Sequence, residues 1–220
     1  AARDAHVGIL DQGDGHLAAD REVLLKEAMA HSYAVVSVTA STHQEAPPGE
    51  QEGLESGPAT GAAFGDLVHR LLEHAMRRGA DAAAIERYAN WLTFEKPDLQ
   101  AAVPEALAAV RRVTASGVWE EALAAEARDV EVPFTLATAG ADGTPTLLNG
   151  VIDLAYRTAD GWVIVDCKTD QLGGRPAAFL LDRYGAQIDA YCRAWAELTG
   201  TPPARAGIHA VRSGETVWRR

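Results

Sequence analysis

The sequence predicts an α/β fold in which helices flank a mixed central β-sheet and a further helical part precedes it. Two observations carry this. The hydrophobic period changes from near 3.6 to near 2 at Val130, and a long helical pattern over 177–199 separates three consecutive strand-like segments from two short ones. With 220 residues the chain is long enough for one large domain or two small ones and for a sizeable core.

Taken in order, residues 17–29 form an acidic amphipathic stretch, and the β-branched run "SYAVVSVTAST" at 32–42 reads as a short extended segment. Residues 1–42 are thus expected to pack on, or simply precede, the main domain. The stretch 43–61 concentrates Pro, Gly and Glu with almost no apolar side chains, the composition of a linker or disordered loop. The main domain is expected over 62–220. It begins with an amphipathic helix over 62–78, whose apolar residues recur every three or four positions and which stops at Gly79. Further helical patterns cover 81–92, 104–115 and 118–127. Three strands are expected at 130–138, 144–158 and 161–169, joined by Asp-Gly turns. After the 177–199 helix, which ends at Gly200, the chain closes on strand-like runs at 204–211 and 215–219.

Composition excludes several functions. The formal charge is −11, so no basic surface dominates, and unaided binding to DNA or to an anionic membrane is disfavoured. Two cysteines are too few for a disulfide scaffold, a Cys-rich zinc site or an iron–sulfur cluster, and fit a reducing, cytoplasmic setting. No apolar run approaches the roughly 18 residues of a membrane span. The opening "AARDAHVGIL" has no initiator Met and no signal-peptide pattern, and reads as a piece of a longer protein. Only three cationic residues are lysines: Lys26, Lys96 and Lys168.

Lys168 belongs to the segment that carries chemistry, "GVIDLAYRTADGWVIVDCKTD". Residues i and i+2 share a strand face, so Asp166 and Lys168 project together and Cys167 points away. A hairpin brings Asp153 alongside. Two carboxylates and an ammonium amid Val163, Ile164 and Val165 are costly to desolvate, and a divalent cation compensates them; hard oxygen ligands suit Mg²⁺ or Mn²⁺.

Asp153 and Asp166-Cys167-Lys168, followed by Gln187-x-x-x-Tyr191 and preceded by "GDLVHRLLE", resemble the PD-(D/E)XK nuclease superfamily. Within it the pattern is most similar to the RecB/AddA-type nuclease domain of bacterial helicase–nucleases, over about residues 60–220. The resemblance implies a restriction-endonuclease-like core and Mg²⁺- or Mn²⁺-dependent hydrolysis of DNA phosphodiesters, with exonuclease action on single strands in double-strand-break repair. It implies that His69, Asp153, Asp166 and the Cys167 carbonyl ligate metal, that Lys168 is the catalytic lysine, and that Gln187 and Tyr191 orient Lys168, water or the DNA backbone. The implied partners are single-stranded DNA, a helicase motor on the parent chain and a second helicase–nuclease subunit. Ile152 stands where the family name has proline, and no nucleotide-binding Gly-x-x-x-x-Gly-Lys-Ser/Thr occurs, so any motor lies elsewhere. The alternatives are a non-catalytic nuclease-like module that guides DNA or binds a partner subunit, and a free-standing or CRISPR-associated nuclease.

Other residues have plainer readings. Glu131, on the strand before that of Asp153, reads as a surface ion-pair partner with approach to the site as the alternative, Asp170 as a turn cap with contact to the site as the alternative, and His74 as solvated. Trp162 and Trp195 read as packing residues, and the arginines at 77, 78, 111 and 112 as candidates for a phosphate track. Trp91 likewise reads as a core or interface packing residue, with stacking of Trp91 or Phe94, at a helix end, on single-stranded bases as the alternative.

Overall fold

The structure is a computed structural model that describes residues 34–38, 59–79, 81–140 and 143–219. The amphipathic stretch at 17–29 and most of the 43–61 segment lie outside the described residues. The chain divides into two compact units, one of residues 1–35 with 137–147 and one of 36–136 with 148–220. In the first, the described residues include a turn in which the Gly140 N–H donates to the Thr144 carbonyl at 2.8 Å. The second carries the described helices, the last three strands and the candidate site described below.

The elements run β1 (Ala34–Ser37), α1 (Gly61–Arg78), α2 (Ala82–Thr93), α3 (Pro97–Gln100), α4 (Val103–Thr114), α5 (Gly117–Ala124), β2 (Ala127–Ala139), β3 (Pro145–Thr158), β4 (Gly161–Lys168), α6 (Phe179–Thr199), β5 (Arg205–Ala210) and β6 (Glu215–Trp218). The sheet is six-stranded, ordered β1-β3-β4-β5-β6 with β2 also paired to β3. Strands β3 and β4 are antiparallel, β4 and β5 parallel, and β5 and β6 antiparallel, which is the expected mixed sheet. Parallel β4 and β5 require a crossover, and α6 supplies it.

Helix boundaries follow local chemistry. Asp81 caps α2 by accepting from Ala84 N at 2.7 Å, and Ser116 caps α5 by accepting from Trp119 N. Gly200 ends α6 in the left-handed conformation, with φ 74°. The helix expected over 118–127 stops at Ala124 instead. Arg128 donates to the Leu123 carbonyl at the helix end, and β2 begins at Ala127, three residues before the expected Val130.

Two apolar clusters sandwich the sheet. One packs α1, α2, α4 and α5 against Leu154, Tyr156, Val163, Val165 and Cys167; the other packs α6 against Ile152, Ala155, Ile164, Ala206 and Ile208. Polar ties reinforce the first. The Tyr156 hydroxyl donates to Glu121 at 2.8 Å, and Arg205 donates to the same carboxylate at 2.7 Å, binding α5 to β3 and β5. Arg212, just past β5, donates to the Thr169 carbonyl at 2.8 Å and so fixes the exit of β4.

The β5–β6 pairing leaves no room for a side chain at Gly207. A Cβ there would collide with the Val217 carbonyl oxygen and lie 2.7 Å from the Trp218 ring. Gly207→Ala is therefore expected to lower unfolding stability by about 1–3 kcal/mol, read by urea denaturation. Gly117→Ala, at an open helix start, is expected to be neutral or slightly stabilising. Equal stability of the two variants would contradict this packing.

Candidate active site

The apolar alternation that builds the sheet breaks at two acidic residues. In β2, Val130 packs against the α1 side and Val132 against the α6 side, although residues two apart on a regular strand share a face. Glu131, between them, has φ 52°, the only positive φ outside glycine among the described residues. Such a conformation costs of the order of 1–3 kcal/mol and marks a strand bulge. In β3 the same slip falls at Asp153, since Ile152 belongs to the α6-side cluster and Leu154 to the other.

These two slips bring carboxylates to one place. His69, on α1 beside the buried Val68, has Nδ1 3.3 Å from an Asp153 oxygen and 3.8 Å from Glu131. His69, Glu131 and Asp153 each offer a ligand atom within 4.8 Å of the others. The other Asp153 oxygen accepts from the Cys167 N–H at 2.6 Å, tying β3 to β4 just beyond the end of their pairing. The last paired residues are Leu154 and Val165, so Asp153 and Asp166 come next along the two strands. Asp166 is almost wholly buried, at 2% side-chain exposure, and Lys168 Nζ lies 2.8 Å from it.

The sequence-derived residues therefore converge: His69 arrives on α1, Asp153 on β3, Asp166, Cys167 and Lys168 on β4, and Gln187 and Tyr191 on α6. Gln187 donates to the Tyr191 hydroxyl at 2.6 Å, both side chains being buried. Gly65, one helical turn before His69, lies on the part of α1 that faces the end of β4, near Thr169.

Glu131 is the main departure from the sequence reading. It faces His69 rather than a surface cation, and only its placement on the preceding strand hinted at that. Tyr184, absent from that reading, donates to Asp170 at 2.7 Å and has Lys168 Nζ 4.5 Å from its ring centre. Asp170 also pairs with Arg183 at 3.2 Å, so it organises α6 against the end of β4 instead of merely capping a turn. His74 is half-buried and stacked on Tyr88. Arg77 is engaged with Glu73 and with the Val130 carbonyl beside Glu131.

The electrostatics divide the two aspartates. Burial pushes the Asp153 carboxyl up, but the His69 imidazolium, Lys168 and the Cys167 N–H together outweigh it and hold the group below the usual carboxylate range. For Asp166 burial wins over Lys168, and the group is raised. Burial likewise opposes protonation of His69, yet Asp153 holds the imidazolium well above the ordinary histidine value. For Lys168 burial is the largest single influence and opposes the charge, but Asp166, Asp153 and Asp170 together outweigh it and raise the group, so it carries a full charge at neutral pH. Behind the site His209, paired across β4–β5 with Cys167, is pushed by burial down to about 4 and stays neutral.

This donor set fits a hard divalent cation: carboxylates and one imidazole converge where three carboxylates face only two cationic side chains. Two clefts open onto it. One, with about 1300 Å³ of free space, is lined by Gly65, Asp66, His69, Lys168, Arg183 and Arg212 among others. The other, of about 1010 Å³, is lined by Pro133, Asn149, Asp153, Asp166, Gln187 and Tyr191, and both share His69 and Lys168.

Comparison with known proteins agrees with this arrangement. The model of the PD-(D/E)XK nuclease superfamily matches residues 43–219. An ATP-dependent helicase/nuclease subunit from Bacillus velezensis is 31% identical over 160 residues, 64% of this chain and 13% of that protein. Proteins of the same name from Desulforudis audaxviator and Geobacillus kaustophilus are 32% and 31% identical, over 68% and 72% of this chain. The chain spans 13% and 14% of the length of those two relatives.

The charge state of His69 yields a pH signature. Its raised value means that the stabilisation it gives the metal-free protein is complete below about pH 6.5 and is lost as pH rises through the higher folded-state value. A cation needs the neutral imidazole, so its uptake expels that proton. Calorimetric titration with Mn²⁺ at pH 7 in buffers of different ionisation enthalpy is expected to show roughly one proton released per cation. His69→Asn is expected to abolish the release; equal release by both proteins would exclude this ligand.

Proposed function

The chain belongs to the PD-(D/E)XK nuclease superfamily, and from that premise we propose that it is a divalent-cation-dependent deoxyribonuclease that hydrolyses DNA phosphodiesters, with residues 62–220 as its nuclease domain. The observation that carries the reading is the convergence of Asp153, Asp166 and Lys168 with His69 at the junction of two clefts. Clefts joined on either side of the chemistry suit a polymer whose backbone continues past the reacting phosphate.

In this reading Asp153, Asp166, the Cys167 carbonyl and His69 hold Mg²⁺ or Mn²⁺, and Glu131 completes the set. The bound cation supplies Lewis-acid neutralisation of phosphate charge and acidification of the attacking water. Lys168, fixed as an ammonium by Asp166, sits beside the scissile phosphate and stabilises the charge that grows there; a raised lysine is suited to that role and not to accepting a proton. The Tyr184 ring below Lys168 limits where its ammonium goes. Gln187 and Tyr191 hold each other rigidly on the α6 wall of the second cleft, where they orient the water or the DNA backbone.

The relatives' name supports a further assignment, to the nuclease part of a helicase–nuclease; in this reading it receives single-stranded DNA from its motor and acts in double-strand-break repair. Tethering to a motor removes the need for autonomous DNA capture, which accounts for an acidic chain acting on a polyanion.

End-labelled single- and double-stranded DNA incubated with Mg²⁺ or Mn²⁺ tests this. Cleavage is expected with the wild type and is expected to fall by about 10²-fold or more in Asp166→Ala and Lys168→Ala. Full activity in Lys168→Ala, or cleavage indifferent to chelation, would overturn the mechanism.

A further inference from the structure

Away from the catalytic residues, three aromatic rings form a ladder on the outer faces of α1 and α2. His74 stacks on Tyr88 with centroids 4.5 Å apart and planes 23° from parallel, and Tyr88 stacks on Trp91 at 5.9 Å and 13°. The ladder is open at its outer end, where Trp91 is 71% exposed. Phe94, three residues further, is 78% exposed. Folding offers no reason to leave an indole and a phenyl ring three residues apart in water, and the exposed large aliphatic residues among those described (Val35, Leu123, Val151 and Leu198) lie on other elements.

The ladder is continuous with the catalytic cleft. Asp66 lines that cleft and accepts from Arg70 Nε at 3.1 Å. Arg70 lies within electrostatic reach of the Tyr88 hydroxyl, and His74 is one turn further along the same face of α1. A path thus leads from His69 and Lys168, past Asp66 and Arg70, to three nearly parallel rings.

We propose that this path is a second binding site for the polymer substrate: single-stranded DNA leaving the catalytic cleft crosses α1, and its bases stack on the Tyr88–Trp91 ladder. The inference rests on the nuclease reading and adds to it where the strand goes and why it is unpaired. Only unpaired bases expose the faces that stacking requires, and parallel rings with an open end offer such a face to any base, without sequence preference. Arg70 is matched by Asp66, so the path contributes little net charge and its hold on DNA is less salt-sensitive than a basic groove would give.

The test uses the full-length natural protein and two substrates, a single-stranded oligonucleotide of about 20 residues and a chromogenic thymidine phosphodiester too short to reach α2. Trp91→Ala is expected to raise KM for the oligonucleotide about tenfold, the order of one lost base stack, while kcat and hydrolysis of the short ester stay as in the wild type. Trp91→Phe is expected to restore most of the affinity. Oligonucleotides carrying 5-iodouracil are expected to photo-crosslink to Tyr88 or Trp91. An unchanged KM in Trp91→Ala, crosslinks confined to other segments, or loss of a protein contact in place of DNA affinity would overturn the proposal and leave the nuclease reading standing. A wild type that cleaves neither substrate would overturn both.

Discussion

Asp153 and Asp166 are desolvated side by side at the end of β3 and β4, with Glu131 close by, and like charges so placed repel strongly where water cannot screen them. Much of the architecture answers that repulsion. His69 is delivered by α1 to Asp153, and Lys168 projects from the same strand face as Asp166 to reach it at 2.8 Å. The Cys167 N–H takes up the remaining Asp153 oxygen. Three carboxylates against two cations still leave the site one negative charge in excess, the condition under which a divalent cation binds with the least competition from the protein's own charges.

Reaching this arrangement costs the sheet its regularity. A strand that alternates strictly cannot aim Glu131 and Asp153 at one point while packing Val130, Val132, Ile152 and Leu154 into two separate cores. The chain resolves the conflict with two slips, and at Glu131 with backbone in a region that side chains rarely adopt. The surrounding packing holds the strained segment in place: Arg77 grips the Val130 carbonyl, and Phe134 and Leu136 anchor the following stretch against α6. Strain of this kind concentrates at a site because the site, unlike the rest of the sheet, cannot be moved.

The same slips explain what the sequence makes legible. Asp166 and Lys168 lie on a regular strand, where period-two alternation correctly places both on one face. The helix residues His69, Gln187 and Tyr191 are readable because spacing of three or four survives folding intact. The turn of Glu131 toward His69 is not legible, because regular alternation would set it on the face opposite Val130 and Val132, and a bulge leaves no mark in composition. Tyr184 is missed for another reason: its partner Asp170 lies 14 residues away in a loop whose path no local pattern specifies. The end of α5 is misplaced for a comparable cause, since the Arg128 side chain that closes it belongs to the next element.

A crystal of the protein grown with Mn²⁺, with anomalous scattering recorded at the manganese edge, tests the metal site most directly. An anomalous peak is expected at roughly 2.0–2.3 Å from oxygens of Asp153 and Asp166, with the His69 ring and the Cys167 carbonyl in its coordination shell. Manganese bound elsewhere, or a direct His69–Asp153 ion pair persisting at saturating Mn²⁺, would contradict it.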